Sequence, residues 1–195
     1  MGRCATVKRE TKETQIYITI DLDGSGKYEV DTGIGFFNHM LEGFARHGLF
    51  DLSVKVIGDL EVDCHHTIED TGIVLGEAIL KALGDKKGIV RYGSCILPMD
   101  ESLVLSAVDL SGRPYLVYDC KIDRESINGF DCEMVKEFFY AVSYGARMNL
   151  HIKKIFGENA HHIIEASFKS FAKSLAAAVS KDPRIFDVLS TKGVI

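Results

Sequence analysis

Tryptophan is absent from this 195-residue chain, and proline occurs only three times. So little proline excludes a stiff proline-rich linker or a polyproline recognition segment. No apolar run approaches the ~20 residues that a membrane-spanning helix needs. The first residues, Met1-Gly2-Arg3-Cys4-Ala5-Thr6, lack the apolar core of an export signal. Cysteine is also sparse: five residues, an odd number without Cys-x-x-Cys spacing, which fits free thiols in a reducing cytoplasm. Positive charge is outnumbered, with 23 Lys and Arg against 28 Asp and Glu and a net charge of −5. A general nucleic-acid binder is therefore excluded. What is present, 46% hydrophobic and 26% charged residues, is the balance of an ordinary soluble globular protein.

Against this background one pattern occurs twice. His65-His66-Thr67-Ile68-Glu69 returns as His161-His162-Ile163-Ile164-Glu165, a spacing of 96 residues. Each copy opens an apolar run of helical period, so both imidazoles and the carboxylate fall on a first helical turn. Residues three or four apart share a face, whereas neighbours diverge by about 100°. The spacing therefore predicts that His66 or His162 shares a site with its own Glu while His65 or His161 points elsewhere. Two such motifs can build two metal sites, each drawing from both copies. Imidazole and carboxylate without thiolate suit Mn, Fe or Zn in a site that does chemistry. The alternative, two helix starts with dipole-favoured acids, accounts poorly for a repeat at matched places. Cys64 precedes the first His pair, but its counterpart is Ala160, so it is set aside as a ligand.

The flanking chain repeats as well. Gln15 to Asp23 alternates as a strand, Gly24-Ser25-Gly26-Lys27 reads as a hairpin turn, and Tyr28 to Asp31 as the return strand. Phe36 to His47 carries a helical stripe ending at Gly48, Leu49 to Ile57 is a strand, and a helix runs from His65 to Leu83 before Gly84. The second half gives strand 103–110, turn 111–114, strand 115–122, helix 133–148, strand 150–156 and helix 161–179, which Asp182-Pro183 closes. Each preceding helix offers one further ligand type, His39 in the first half and Glu137 in the second. The expected fold is α+β, a duplicated ββαβα unit with helices on one face of each sheet. One half alone buries too little surface. The chain is therefore read as a single domain over 1–195, with repeats at about 10–84 and 91–180, a hinge at Gly84–Gly88, and a tail at 181–195.

Seven segments carry a closer resemblance: FFNHML (36–41), HGLFDL (47–52), HHTIEDTGIVLGEA (65–78), LPMDE (97–101), DLSGRP (109–114), HHIIEASFKSFAKSL (161–175) and STKG (190–193). Together they resemble the imidazoleglycerol-phosphate dehydratase family of histidine biosynthesis, in its stand-alone form, across essentially the whole chain. The resemblance implies halves of the ferredoxin-like or ribosomal protein S5 domain 2-like type and two Mn²⁺ ions per active site. It implies one ion held by His39, His66, Glu69 and His161, and another by His65, Glu137, His162 and Glu165. Position 137 is His in many members and Glu here, and carboxylate also suits a hard metal. The implied reaction removes water from D-erythro-imidazoleglycerol phosphate to give imidazole-acetol phosphate, with the ring bound as imidazolate between the ions. Glu13, Glu165, His66 and His162 are the implied catalytic residues. Glu13, His47, Arg91, Arg113, Lys169, Ser190, Thr191 and Lys192 are the implied substrate contacts, the cations serving the phosphate. Gly43 stands where members often have Gln. The resemblance further implies a cytoplasmic homo-oligomer of 24 subunits, built from trimers, whose active sites are shared between subunits.

Two other classes compete. A dinuclear metallohydrolase would use similar ligands, but the chain has no His-x-His-x-Asp run. A non-catalytic metal-binding module would explain the ligands but not the matched Arg91, Arg113 and Lys169. A nucleotide site is weaker, because neither Gly24-x-Gly26 nor Gly33-x-Gly35 completes a phosphate loop.

Overall fold

Alternation at a period of two builds the sheets. In Thr14–Asp21, Ile16, Ile18 and Ile20 are fully buried while Tyr17 faces outward, the mark of a strand covered on one side. The computed structural model describes residues 2–195. Its elements are β1 (Cys4–Glu10), β2 (Thr14–Asp21), β3 (Tyr28–Asp31), α1 (Gly35–Gly48), β4 (Asp51–Gly58) and α2 (His65–Leu83). There follow β5 (Tyr92–Met99), β6 (Ser102–Asp109), β7 (Tyr115–Asp119), the short β8 (Ser126–Ile127) and β9 (Phe130–Asp131), α3 (Met134–Gly145), β10 (Asn149–Phe156) and α4 (Ala160–Val179). The two four-stranded sheets share one topology, β1-β2-β4-β3 and β5-β6-β10-β7. The duplicated order expected from the sequence is present, and each copy gains a strand at its front, β1 and β5. These two strands are mostly exposed or half-buried, so their apolar signal is thin.

The turn at Gly24–Lys27 is corrected. It does not return β3 beside β2; β3 instead runs parallel to β4 with Tyr28 opposite Leu52. Asp51 draws the chain across, its Oδ1 accepting from the amides of Ser25 at 2.7 Å and Lys27 at 2.9 Å. A parallel neighbour requires a crossover, and α1 supplies it. β7 and β10 repeat this through α3.

The helices cover one face of each sheet, α2 on β1 and β2, α4 on β5 and β6. They also pack on each other across the two halves, α1 against α4 and α2 against α3. Aromatic rings fill this seam: Phe44 stacks on Phe171 at 5.4 Å, and Phe168 lies 5.0 Å from Phe138 and 4.9 Å from Phe139. The segment between the halves is held rather than free. Lys86 is buried and its ammonium donates to the Leu110 carbonyl at 3.2 Å, while the Gly88 amide donates to Asp187 at 3.1 Å.

Candidate active site

Each His pair sits where an Asp or Asn two residues earlier satisfies the free amides of the helix start. Asp63 Oδ1 accepts from the His65 amide at 2.7 Å. Asn159 Oδ1 accepts from His161 at 2.9 Å and His162 at 3.3 Å. The caps fix the first turn, and the helix period then aims the rings.

The pairing within each motif differs from the sequence expectation. His161 Nε2 lies 3.0 Å from Glu165 Oε2, and His65 Nε2 lies 3.4 Å from Glu69 Oε2. Both pairs are four residues apart, and that separation wins over three because the side chains lean back one turn. His66 and His162 turn the other way: His66 Nδ1 meets Asp59 Oδ2 at 2.9 Å, and His162 Nδ1 meets Glu101 Oε2 at 2.6 Å.

Packing of α1 on α4 brings His39 to this group, with Nε2 3.6 Å from Glu165 Oε2. His39, His161 and Glu165 offer one ligand atom each, all within 4.8 Å of one another, and no other such trio occurs among the described residues. Glu165 therefore joins His39 and His161, whereas the resemblance had placed it with His65, Glu137 and His162. The mirrored packing of α3 on α2 brings Glu137 and Glu69 toward one tyrosine. Both carboxylates lie near Tyr140, whose hydroxyl is raised first by its bond with Tyr144 and further by Glu137 and Glu69. Glu137 does not close into a trio there.

Glu165 is nearly buried. Burial works to raise its carboxyl, but the Lys169 ammonium 2.6 Å from Oε1, with His39 and His161, outweighs it and holds the group below its ordinary value. It is thus an anion at neutral pH. His47, half-buried at the end of α1, is pushed down by burial and by Lys169 and Lys173. Glu13 lies in the β1–β2 turn, where its charge adds to the pull that Asp59 exerts on His66.

A second feature is a cavity of about 650 Å³ lined by Arg91, Arg113, Ser190, Thr191 and Lys192. Five of the residues expected to bind phosphate thus meet, and Lys169 does not join them. Arg91 is buried and bidentate to Asp109, with Nε at 2.7 Å and Nη2 at 3.2 Å, and it holds the tail through Leu189 O at 2.7 Å. The sequence reading missed Asp59 and took Asp109 only as part of the DLSGRP segment, not as a site residue. Asp109 ends a strand, and Asp59 lies seven residues before His66 in a loop, so no period links either to its partner.

The chain as a whole is similar to known proteins. The sequence pattern of the imidazoleglycerol-phosphate dehydratase family matches residues 32–175. The chain belongs to the imidazoleglycerol-phosphate dehydratase family. Imidazoleglycerol-phosphate dehydratase from Lachnoclostridium phytofermentans is 60% identical over the full length of both chains, and that from Acetivibrio thermocellus is 57% identical, also over both. Among solved structures, imidazoleglycerol-phosphate dehydratase from Staphylococcus aureus superposes with a TM-score of 0.83 at 41% identity, covering 92% of this chain and 99% of that one. The Pyrococcus furiosus enzyme in complex with (S)-C348 gives 0.83 at 39%, covering 97% and 100%. Members of this family are hydro-lyases that act in histidine biosynthesis.

Proposed function

We propose that the chain dehydrates D-erythro-imidazoleglycerol phosphate to imidazole-acetol phosphate at a site that holds two Mn²⁺ ions. The observation that carries this is the convergence of His39, His161 and Glu165. Two imidazoles and a buried, ionised carboxylate are the donor set of a hard or borderline divalent cation, and Lys169 is the one lysine or arginine among the described residues paired with that carboxylate. His65, Glu69 and Glu137 are the mirrored set for the second ion, and His66 and His162 supply a further imidazole each. Bound Mn²⁺ supplies Lewis acidity toward the substrate's imidazole ring.

The reaction removes the hydroxyl from the carbon attached to the ring and a proton from the neighbouring carbon, and the resulting enol becomes the ketone. Glu165, ionised at neutral pH, and Glu13, exposed beside His66, are the carboxylates suited to hold the hydroxyls or move that proton. Arg113, Ser190, Thr191 and Lys192 line a cavity that fits the phosphate, with Arg91 bracing the tail across it.

The phosphate cavity and the His39 trio stand apart in one chain. Arg91 bonds to the α4 backbone at Ala178, thirteen residues from Glu165, or about 20 Å along the helix. A substrate of one ring, three carbons and a phosphate is too short for that span. This separation supports an active site assembled from more than one subunit, as in the 24-subunit cytoplasmic shell that the resemblance implies.

The test is conversion of the substrate to the ketone with Mn²⁺, with a chelator, and in Glu165→Gln and His162→Ala. Turnover that needs Mn²⁺ and falls by more than the roughly 10–100-fold that a supporting residue is worth is the expected result. Tight metal binding without turnover in the native protein overturns the proposal.

A further inference from the structure

His66 and His162 are the imidazoles that leave their own Glu, and each meets a carboxylate from outside its helix. Asp59 lies in the loop after β4, and Glu101 lies in the tight β5–β6 turn. Both approach the same ring atom, Nδ1, at 2.9 Å and 2.6 Å. Such a bond settles the tautomer: the proton sits on Nδ1, and the lone pair of Nε2 is left outward as a ligand. Asp100 Oδ2 is 3.6 Å from His162 Nε2, too far for a hydrogen bond, so that nitrogen stays open. His65 and His161, by contrast, turn Nε2 toward their own Glu and have no carboxylate on Nδ1 among the described residues.

The surroundings of Asp59 argue that its bond serves His66. Its side chain is largely buried, and its Oδ1 has no hydrogen-bond partner among the described residues. An unpaired buried carboxylate oxygen is costly, and among the described residues only His66 bonds to this side chain. Glu101 is the more heavily held of the two. Oε1 accepts from Ser102 Oγ at 2.9 Å and from the amides of Asn159 at 2.9 Å and Glu158 at 3.3 Å. Those bonds pin the β5–β6 turn to the start of α4 and leave Oε2 directed at His162.

We propose that Asp59 and Glu101 are positioning residues that fix His66 and His162 as Nε2 ligands, each acting only through its histidine. This rests on the two-ion reading given under Proposed function. The test is a pair of double-mutant cycles, read as Mn²⁺ affinity from the free-ion EPR signal in the metal-free, natively assembled protein. One cycle joins Asp59→Asn to His66→Ala, the other Glu101→Gln to His162→Ala. Circular dichroism and a urea midpoint accompany every variant. The expected result is a loss of affinity of about 10–100-fold for Asp59→Asn in the native background and almost none once His66 is Ala, with the same pattern in the second cycle. Asp59→Glu, which keeps the acceptor, recovers part of the loss. Equal losses with and without His66 would mean that Asp59 merely supports the fold, and unchanged affinity would mean that it orients nothing; either overturns the proposal. Failure of the native protein to bind Mn²⁺ overturns the two-ion reading itself, and this inference with it. Glu101→Gln also loosens the α4 cap, so the Asp59 cycle decides if the second one unfolds.

Discussion

At the residue scale, glycines separate into those the fold needs and those it tolerates. Gly43 sits in α1 with nothing within 4 Å of an added Cβ. A helical glycine there costs about 0.5–1 kcal/mol relative to alanine. Gly43→Gln is expected to stabilise the chain by about 0.5 kcal/mol, read as a higher urea midpoint; a lower midpoint would show an unseen contact. Gly48 is the contrary case. The left-handed residue that ends α1 is Leu49, at φ 59°, and Gly48 is glycine because the Phe50 ring lies where its Cβ would be. The helix ends at Gly48, as the sequence reading has it, and the left-handed turn falls one residue later.

At the element scale, the seam between α2 and α3 is built on small residues. A Cβ on Gly76 would come within 2.6 Å of Val142 O and 2.8 Å of the Ala146 amide, and one on Gly145 within 2.7 Å of Ile73 O. Backbone this close cannot yield as a side-chain tip can, so the helices must part. Gly76→Ala is expected to cost about 1–3 kcal/mol in urea unfolding. It should also weaken Mn²⁺ binding, because α2 carries His65 and Glu69 and α3 carries Glu137. A stable variant with altered metal binding would show that the seam tunes the site rather than the fold. Unchanged stability and binding would refute the close-packing account.

At the scale of the whole molecule, ionisation sets a pH window. Asp23 and Asp51 lie below the ordinary 3.8 through bonds to Arg3 and to backbone amides, and Glu101 lies below 4.5 through His162. Asp182 is held at about 2 by Arg184. Each favours the folded state above its unfolded value, and that contribution is lost as pH falls from about 4.5 toward 2. His66 and His162 are raised above 6.5 by Asp59 and Glu101, so their contribution is present below 6.5 and lost as pH rises through the folded values. His47, pushed down mainly by burial, opposes this in part, destabilising the fold as pH falls below 6.5. Metal-free protein is therefore expected to be most stable between about 4.5 and 6.5, measured as urea midpoint against pH. Mn²⁺ needs neutral imidazoles, so adding it should move that maximum upward. At 100 times Kd one bound ion adds about 2.7 kcal/mol. A maximum unmoved by Mn²⁺ would count against metal ligation by these histidines.

Local pattern was enough to read the α+β class, the duplication, both His-pair helices and the strands β2, β4, β6 and β10, but not β1 and β5. Their information lies within a few residues: alternation in Gln15–Asp23 and a helical stripe after His65 and after His161. Family likeness in the same stretches was enough for the reaction class. Tertiary structure decided the partners. Which Glu stands with which His depends on how a side chain leans along its own helix and on which helix packs against it, so His39 joined Glu165 through the α1–α4 contact. The parallel placing of β3 depended on Asp51, more than twenty residues away. Asp59 and Glu101 reach their histidines from a loop and a turn, and no period in sequence encodes a distance across space.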